Sequence, residues 1–343
     1  MAAGDPSSPA GGRLLRTTSR RAFLKTGGLV LAGVACGRSE EAAGQAGLPP
    51  RGIPRVALAR RPDAVGPGNR IRQEAVRSGL QSAIARVTGA PSAAVAFRSL
   101  FRTTDVVGIK VNCLAGRSLS PRLELISVLI ETLRSAGVPD RQILVWDRTD
   151  SDLERAGYTL NRSGSGPRCY GTNLEYETEP SSVGSVGSCY SKIVTSECTA
   201  LISVPVLKDH DLAGVSGSLK NFYGAIHNPN KYHDSNCNPY VADVSSHPAI
   251  RRKLRLVVFD ALIAQCHGGP AFKPAFAQPY GGLIVSRDPV AADRIAWKIL
   301  EQMRKEKGLP TLAESKREPI WVATAESAGL GVGDLTRIEE VEA

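Results

Sequence analysis

Short apolar, β-branched runs that stop abruptly at a polar residue recur along this 343-residue chain. Val106 to Val111 runs into Asn112, Ile143 to Trp146 into Asp147, and Leu201 to Leu207 into Lys208, Asp209 and His210. Leu254 to Phe259 runs into Asp260, and Leu283 to Ser286 into Asp288. Between several of them lie segments with helical spacing. Arg70 to Val87 places Ile71, Ala75, Val76, Leu80, Ile84 and Val87 on one face, Pro121 opens a helix through Ala136 with Gly137 as its stop, and Asp288-Pro289 opens another through Arg304. Apolar strands alternating with helices predict an α/β fold: a mostly parallel or mixed sheet with helices on both faces, in one large domain. Arg55 to Ala59, Ser191 to Val194 and Ile320 to Ala323 are read as further strands.

Strand ends of a parallel sheet converge on one edge, and ligands of open α/β sheets sit in the crevice beyond the carboxyl ends. The polar residues that stop the runs are therefore the candidate site. Lys110, Lys208 and Lys220 would supply positive charge for a phosphate or carboxylate, with Asn112 and Asn221 beside them. Ser216 and Gly217, with Gly214 and Ser218, would present backbone N–H groups at a helix start, a ready anion site. His210 and His233 are the candidate acid/base groups, because imidazole transfers protons near neutral pH. Asp147, Asp260 and Asp288 would orient those histidines or hold a divalent metal. His227, His247 and His267 sit beside Asn, Pro or Gly and read as loop residues, although Gly268-Gly269-Pro270 would let a ligand approach the backbone. No Gly-x-Ser-x-Gly elbow and no HExxH helix occurs, which argues against serine-hydrolase and zincin chemistry.

The start of the chain has a different character. Ser19-Arg20-Arg21-Ala22-Phe23-Leu24-Lys25 has the form of a twin-arginine export signal, followed by a weakly apolar run from Gly27 to Ala35 too short for a permanent membrane span. Residues 1–36 read as the signal peptide, 37–54 as a linker, and 55–343 as the folded body, with a Gly/Ser/Thr/Asn-rich insertion or lid over 161–190. The expected destination is periplasmic or otherwise extracytoplasmic, reached through the twin-arginine translocon. The membrane would be touched only through the signal peptide or a lipid on Cys36 in Gly33-Val34-Ala35-Cys36-Gly37, which looks like a lipoprotein cleavage site. The leader carries five basic residues against Asp5, so it supplies +4 of the formal charge of +10 and leaves +6. That remainder is scattered without a Lys/Arg tract, which fits a small anionic ligand and gives no reason to expect nucleic acid. Six cysteines follow Cys36, enough for disulfides or for buried thiols; no CxxC pair occurs, so the chain lacks an iron–sulfur or zinc-ribbon motif.

Four blocks carry a resemblance: Val107-Gly-Ile-Lys-Val-Asn112, Val204-Pro-Val-Leu-Lys-Asp-His210, Gly214-Val-Ser-Gly-Ser-Leu-Lys-Asn-Phe-Tyr-Gly224 and Ser286-Arg-Asp-Pro-Val-Ala-Ala-Asp293. In combination they resemble the signature blocks of the domain of unknown function 362 family, over about residues 55 to 335. Many members are exported or fused to ferredoxin-type domains, which implies a redox or anaerobic setting; this chain shows no such fusion. The expectation for function is an exported protein that binds a small anion or metal–anion complex at the strand ends, with acid/base catalysis. The alternative is a non-catalytic periplasmic ligand-binding or cofactor-maturation protein.

Overall fold

The computed structural model describes residues 52–343; the twin-arginine motif, Cys36 and nearly all of the linker lie outside them. Strand β1 (Arg55–Arg60) is followed by helices α1 (Gln73–Thr88) and α2 (Ala93–Leu100), then β2 (Val107–Val111), α3 (Leu123–Ser135), β3 (Ile143–Trp146), α4 (Asp150–Ala156) and β4 (Arg168–Cys169). A hairpin of β5 (Ser181–Val183) and β6 (Val186–Ser188) precedes β7 (Ala200–Val204), β8 (Val206–His210) and β9 (Gly214–Val215). The short helices α5 (Asp234–Cys237), α6 (Tyr240–Ser246) and α7 (Pro248–Arg251) lead to β10 (Leu254–Gln265), β11 (Ala277–Ser286), α8 (Pro289–Glu306), α9 (Trp321–Ser327) and β12 (Glu339–Glu342).

The main sheet runs β12-β1-β11-β10-β7-β2-β3-β4. Only β11 is antiparallel to its neighbours, so the sheet is mostly parallel. Side chains alternate between two cores. Ile109, Val145 and Ile202 pack with α1, α2 and α3 on one face, whereas Trp146 and Leu201 pack with α6, α8 and α9 on the other. Both faces are covered, which is why these strands read as continuous apolar runs. Lys110, between Ile109 and Val111, points to the Trp146 face.

The chain runs outward through β2, β3 and β4, then returns to place β7 on the other side of β2. The β2/β7 boundary is therefore the switch point, where the carboxyl ends of open α/β sheets leave a crevice. The return passes through residues 161–190, which contribute the edge strand β4 and the β5/β6 hairpin.

Several sequence expectations need correction. Leu201 to Leu207 is not one strand: Pro205, which has no N–H to give to a ladder, separates β7 from β8, and β8 leaves β2 to pair with β10 and β9. Lys208 and His210 thus lie inside a strand, not beyond one. The Leu254 run does not stop at Asp260; β10 continues to Gln265. Ser191 to Val194 is a helical turn, begun by Ser191 Oγ accepting the Ile193 N–H at 3.3 Å. Ile320 to Ala323 forms the N-cap and first turn of α9, which buries Trp321, Val322 and Ala325, spaced for a helix face and not for a strand. The six cysteines of this body are all free thiols, five of them buried.

Candidate functional site

The residues after β2 and β3 meet at the switch point. Lys110 is 1% exposed and its ammonium donates to Val111 O at 2.6 Å, Asp147 Oδ1 at 2.7 Å and Asn221 Oδ1 at 3.0 Å. An ammonium has three donors, so Lys110 has none left for a ligand. Asp147 is equally engaged: Oδ1 also accepts the Arg148 N–H at 2.8 Å and Oδ2 the Cys113 N–H at 2.7 Å. Asp147 therefore anchors Lys110 and orients neither histidine. Asn221 bridges the two strands that part here, its Nδ2 donating to Lys110 O at 3.0 Å and Ser203 Oγ at 3.1 Å. Gly224 must lack a side chain, since a Cβ there would stand 2.9 Å from Lys110 Cε and Nζ.

A cleft of about 150 Å³ opens over this pair. Nine of the twelve sequence candidates line it: Lys110, Asn112, Asp147, His210, Ser216, Gly217, Lys220, Asn221 and His233. Lys220, on the 3-10 turn Lys220–Ala225, is, like Arg148, a cation of the cleft without a carboxylate partner among the described residues. Its Nζ lies 3.3 Å from His233 Nε2 and 4.1 Å from the centre of the Tyr223 ring, and it forms no ion pair among the described residues. Burial lowers its pKa to about 8. His233 is also held below its usual value, first by burial and then by Lys220. Its Nε2 therefore accepts from the ammonium.

His210 stacks on His233 with ring centres 5.8 Å apart. Its Nδ1 accepts the Leu212 and Ala213 N–H groups at 3.2 and 3.3 Å. Asp211 Oδ1 also lies 3.1 Å from that nitrogen, but this carboxylate is exposed and free to rotate, whereas the two amides are fixed. The proton of the neutral ring therefore sits on Nε2. Burial, then Lys220 and His233, pushes the pKa of His210 down to about 2. The charged form of His210 is thus disfavoured in the cleft.

Lys208 does not reach the cleft. Fully buried, it stands behind the wall and donates to Asn112 Oδ1 at 3.1 Å and Leu119 O at 3.4 Å, with its pKa lowered to about 8 by burial. It positions Asn112. Of the expected nest of N–H groups, Ser216 N donates to Lys208 O at 2.9 Å and Ser218 N, with the following Leu219 N, to the carboxyl group of Asp293 on α8. Gly217 is needed for that contact: a Cβ would stand 2.6 Å from Trp321 and 2.8 Å from Asp293. Asp293, which closes the fourth signature block of the sequence, is fully buried, and burial raises its carboxyl group to about 7.

Asp260 and Asp288, read as metal ligands, are caps. Asp260 accepts the Arg122 N–H ahead of α3 at 2.6 Å and the Leu262 N–H at 2.9 Å. Asp288 accepts Ala291 N–H at the start of α8 at 2.9 Å and Val332 N–H at 3.0 Å. Burial raises both carboxyl groups to about 6. Asp260 pairs in register with Leu283, five residues before Asp288 on the reversed β11, so Asp288 lies toward the opposite edge of the sheet. No group of three His, Cys, Asp or Glu among the described residues is arranged to hold a metal ion. His267 packs edge-on to Phe276, and Gly269 is pressed against Asp209 while Pro270 reaches the cleft.

Sequence reasoning missed Arg148, Asp152, Tyr223, Asn230 and their neighbours on the cleft wall. Arg148 carried a usable signal, since it directly follows the strand-ending Asp147. Its Nη2 donates to His227 O at 3.3 Å, and its Nε is buried with no partner among the described residues.

A sequence model described as Domain of unknown function (DUF362) matches residues 107–298, more than half of the chain. The chain belongs to the DUF362 family. Every residue lining the cleft, from Lys110 to Pro270, falls within the matched DUF362 region, as does Asp293. No curated protein matches the chain. A crystal structure of a protein from Thermotoga maritima, solved by a structural genomics consortium, is similar to this DUF362 chain with a TM-score of 0.45 and 10% identity, over 68% of this chain. The chain spans 60% of that protein's length.

Proposed function

We propose that this DUF362 protein is exported by the twin-arginine route and binds a small anion in the switch-point cleft, where Lys220 and His233 exchange a proton with it. The observation that carries the reading is Lys220, a cation 8% exposed that faces the cleft with no carboxylate partner among the described residues. A buried charge is costly unless matched, and an anion entering the cleft would match it. The Arg148 guanidinium on the cleft wall and the Nε2–H of His210 would supply further donors. A lysine near pKa 8 hydrogen-bonded to an imidazole is suited to proton transfer near neutral pH.

Calorimetry on the purified protein with oxalate and inorganic phosphate tests the binding. At least one anion should bind, and Lys220→Met should weaken it by tenfold or more, on the order of one charge-assisted hydrogen bond. Absence of binding by wild type, or an unchanged affinity in Lys220→Met, would sink the reading. A second reading, binding without turnover, is favoured by His210 being locked neutral and by the saturation of Lys110 and Asp147. Mass spectrometry of anions that co-purify, followed by incubation to look for their conversion, separates the two. For export, Arg20→Lys with Arg21→Lys should leave precursor in the cytoplasm; normal export of that variant would refute the assignment.

A further inference from the structure

We propose that Lys220 is an imine-forming residue, and that the ligand of the cleft is a small carbonyl compound bearing an anionic group, in chemical class a 2-oxo acid. The proposal rests on the anion-binding reading and adds a covalent step to it.

The geometry distinguishes Lys220 from the other two buried lysines of the site. Lys110 is saturated by three acceptors, one of them the Asp147 carboxylate, and Lys208 lies outside the cleft behind Asn112. Among the described residues Lys220 has a single side-chain hydrogen-bonding partner, His233 Nε2 at 3.3 Å, and packs its head over the Tyr223 ring at 4.1 Å. A lysine becomes a nucleophile when an apolar setting disfavours its charge and a base can take its proton. Both conditions hold here, and the Tyr223 hydroxyl is already tied to Tyr232 O at 2.7 Å, so His233 is the base in contact. Arg148, a cleft-lining guanidinium without an ion pair among the described residues, and His210, donating through Nε2, would hold the carboxylate and the carbonyl oxygen.

The step balances without any further reagent. His233 Nε2 takes one proton from the Lys220 ammonium, leaving a lone pair on Nζ. That pair forms a bond to the carbonyl carbon while the C=O π electrons move to oxygen. Proton return through His233, and transfer of a second proton from nitrogen, let the oxygen leave as water as the C=N bond forms. The products are a protonated imine, which keeps the third ammonium proton, and one water molecule.

The test uses the full chain incubated with glyoxylate and cyanoborohydride, which converts an imine into a stable carboxymethyl-lysine, followed by peptide mapping. Lys220 should be labelled at least about tenfold faster at pH 7 than the exposed Lys231 and Lys316, since lowering a lysine pKa by about two units multiplies its free-amine fraction on the order of a hundredfold. His233→Gln keeps a hydrogen-bond acceptor but no base, and should slow labelling at Lys220 several-fold, by more than any accompanying fall in oxalate affinity. Labelling of Lys220 no faster than Lys231 overturns the proposal. Oxalate binding with no adduct at Lys220 also overturns it, yet leaves the anion reading standing. Equal labelling by neutral glycolaldehyde, unaffected by oxalate, overturns the anionic substrate class and the anion reading together.

Discussion

Replacing Asp147 with asparagine probes the anchor on which the cleft is built. In the wild type the Lys110 ammonium meets its one anionic partner at 2.7 Å, with side-chain exposures of 1% and 8%. The amide in Asp147→Asn would keep the shape and one acceptor, but would leave a buried ammonium without a counter-charge. Asp147 also accepts two main-chain N–H groups, from Cys113 and Arg148, and an amide can serve fewer of these contacts. Removing one member of a buried ion pair costs about 3–5 kcal/mol. With a urea m-value of about 3 kcal/mol/M, the unfolding midpoint should fall by more than about 1 M. Trp146, whose ring centre is 5.3 Å from Lys110 Nζ, provides the fluorescence signal. The double variant Lys110→Met with Asp147→Asn should cost less than the two single changes added together, with a coupling of at least about 2 kcal/mol. An Asp147→Asn protein within about 1 kcal/mol of wild type, or strictly additive changes, would refute the account of this pair.

Two further outcomes are expected. Lys208 has a folded pKa near 8 against about 10.4 when unfolded, so between those values the unfolded chain holds a proton the folded chain has released, and stability rises with pH. Buried thiols such as Cys113, whose pKa is pushed up, act in the opposite sense, so the readout is a difference: wild type should gain up to roughly 3 kcal/mol relative to Lys208→Met between pH 8 and pH 10, and a constant difference would contradict it. Gly224→Ala should push the Lys110 head away from Asp147, lowering stability by about 1–3 kcal/mol and abolishing oxalate binding in calorimetry; unchanged binding would show that the close approach is not needed.

The sequence announced those parts of the fold whose burial is local. β2 and β3 are buried on both faces, so their apolar runs were visible, and α1, α3 and α8 showed their spacing. The errors arose where a polar residue was read by its charge alone. Asp260 looked like a strand end, yet it is a buried cap for α3 inside a longer strand, satisfied by N–H groups 138 and 2 residues away. Ile320 to Ala323 is too short for periodicity to tell a strand from a helix. For the site, the clustering of Lys110, Asp147, Lys220 and Asn221 was legible because parallel strand ends converge. Their states were not. That Lys110 is neutralised and Lys220 is not depends on which partner lies 37 or 13 residues away, and no local pattern encodes it. Likewise Ser216 to Ser218 had the look of a ligand cradle, and only the packing reveals that the Ser216 N–H goes to Lys208 O and the Ser218 N–H to Asp293 on α8.

The break at Pro205 gives the cleft an origin unlike that of a pocket hollowed out among loops. β7 lies between β2 and β10, and β8 continues along β10 where β2 has ended, so the sheet divides like the tines of a fork, with Lys208 to Asn112 as a strut between them. The gap is set by where main chains part, and its breadth is therefore insensitive to exchanges of individual rim side chains. On the proposed anion binding, the fork would act as a size gauge and the rim as the selector.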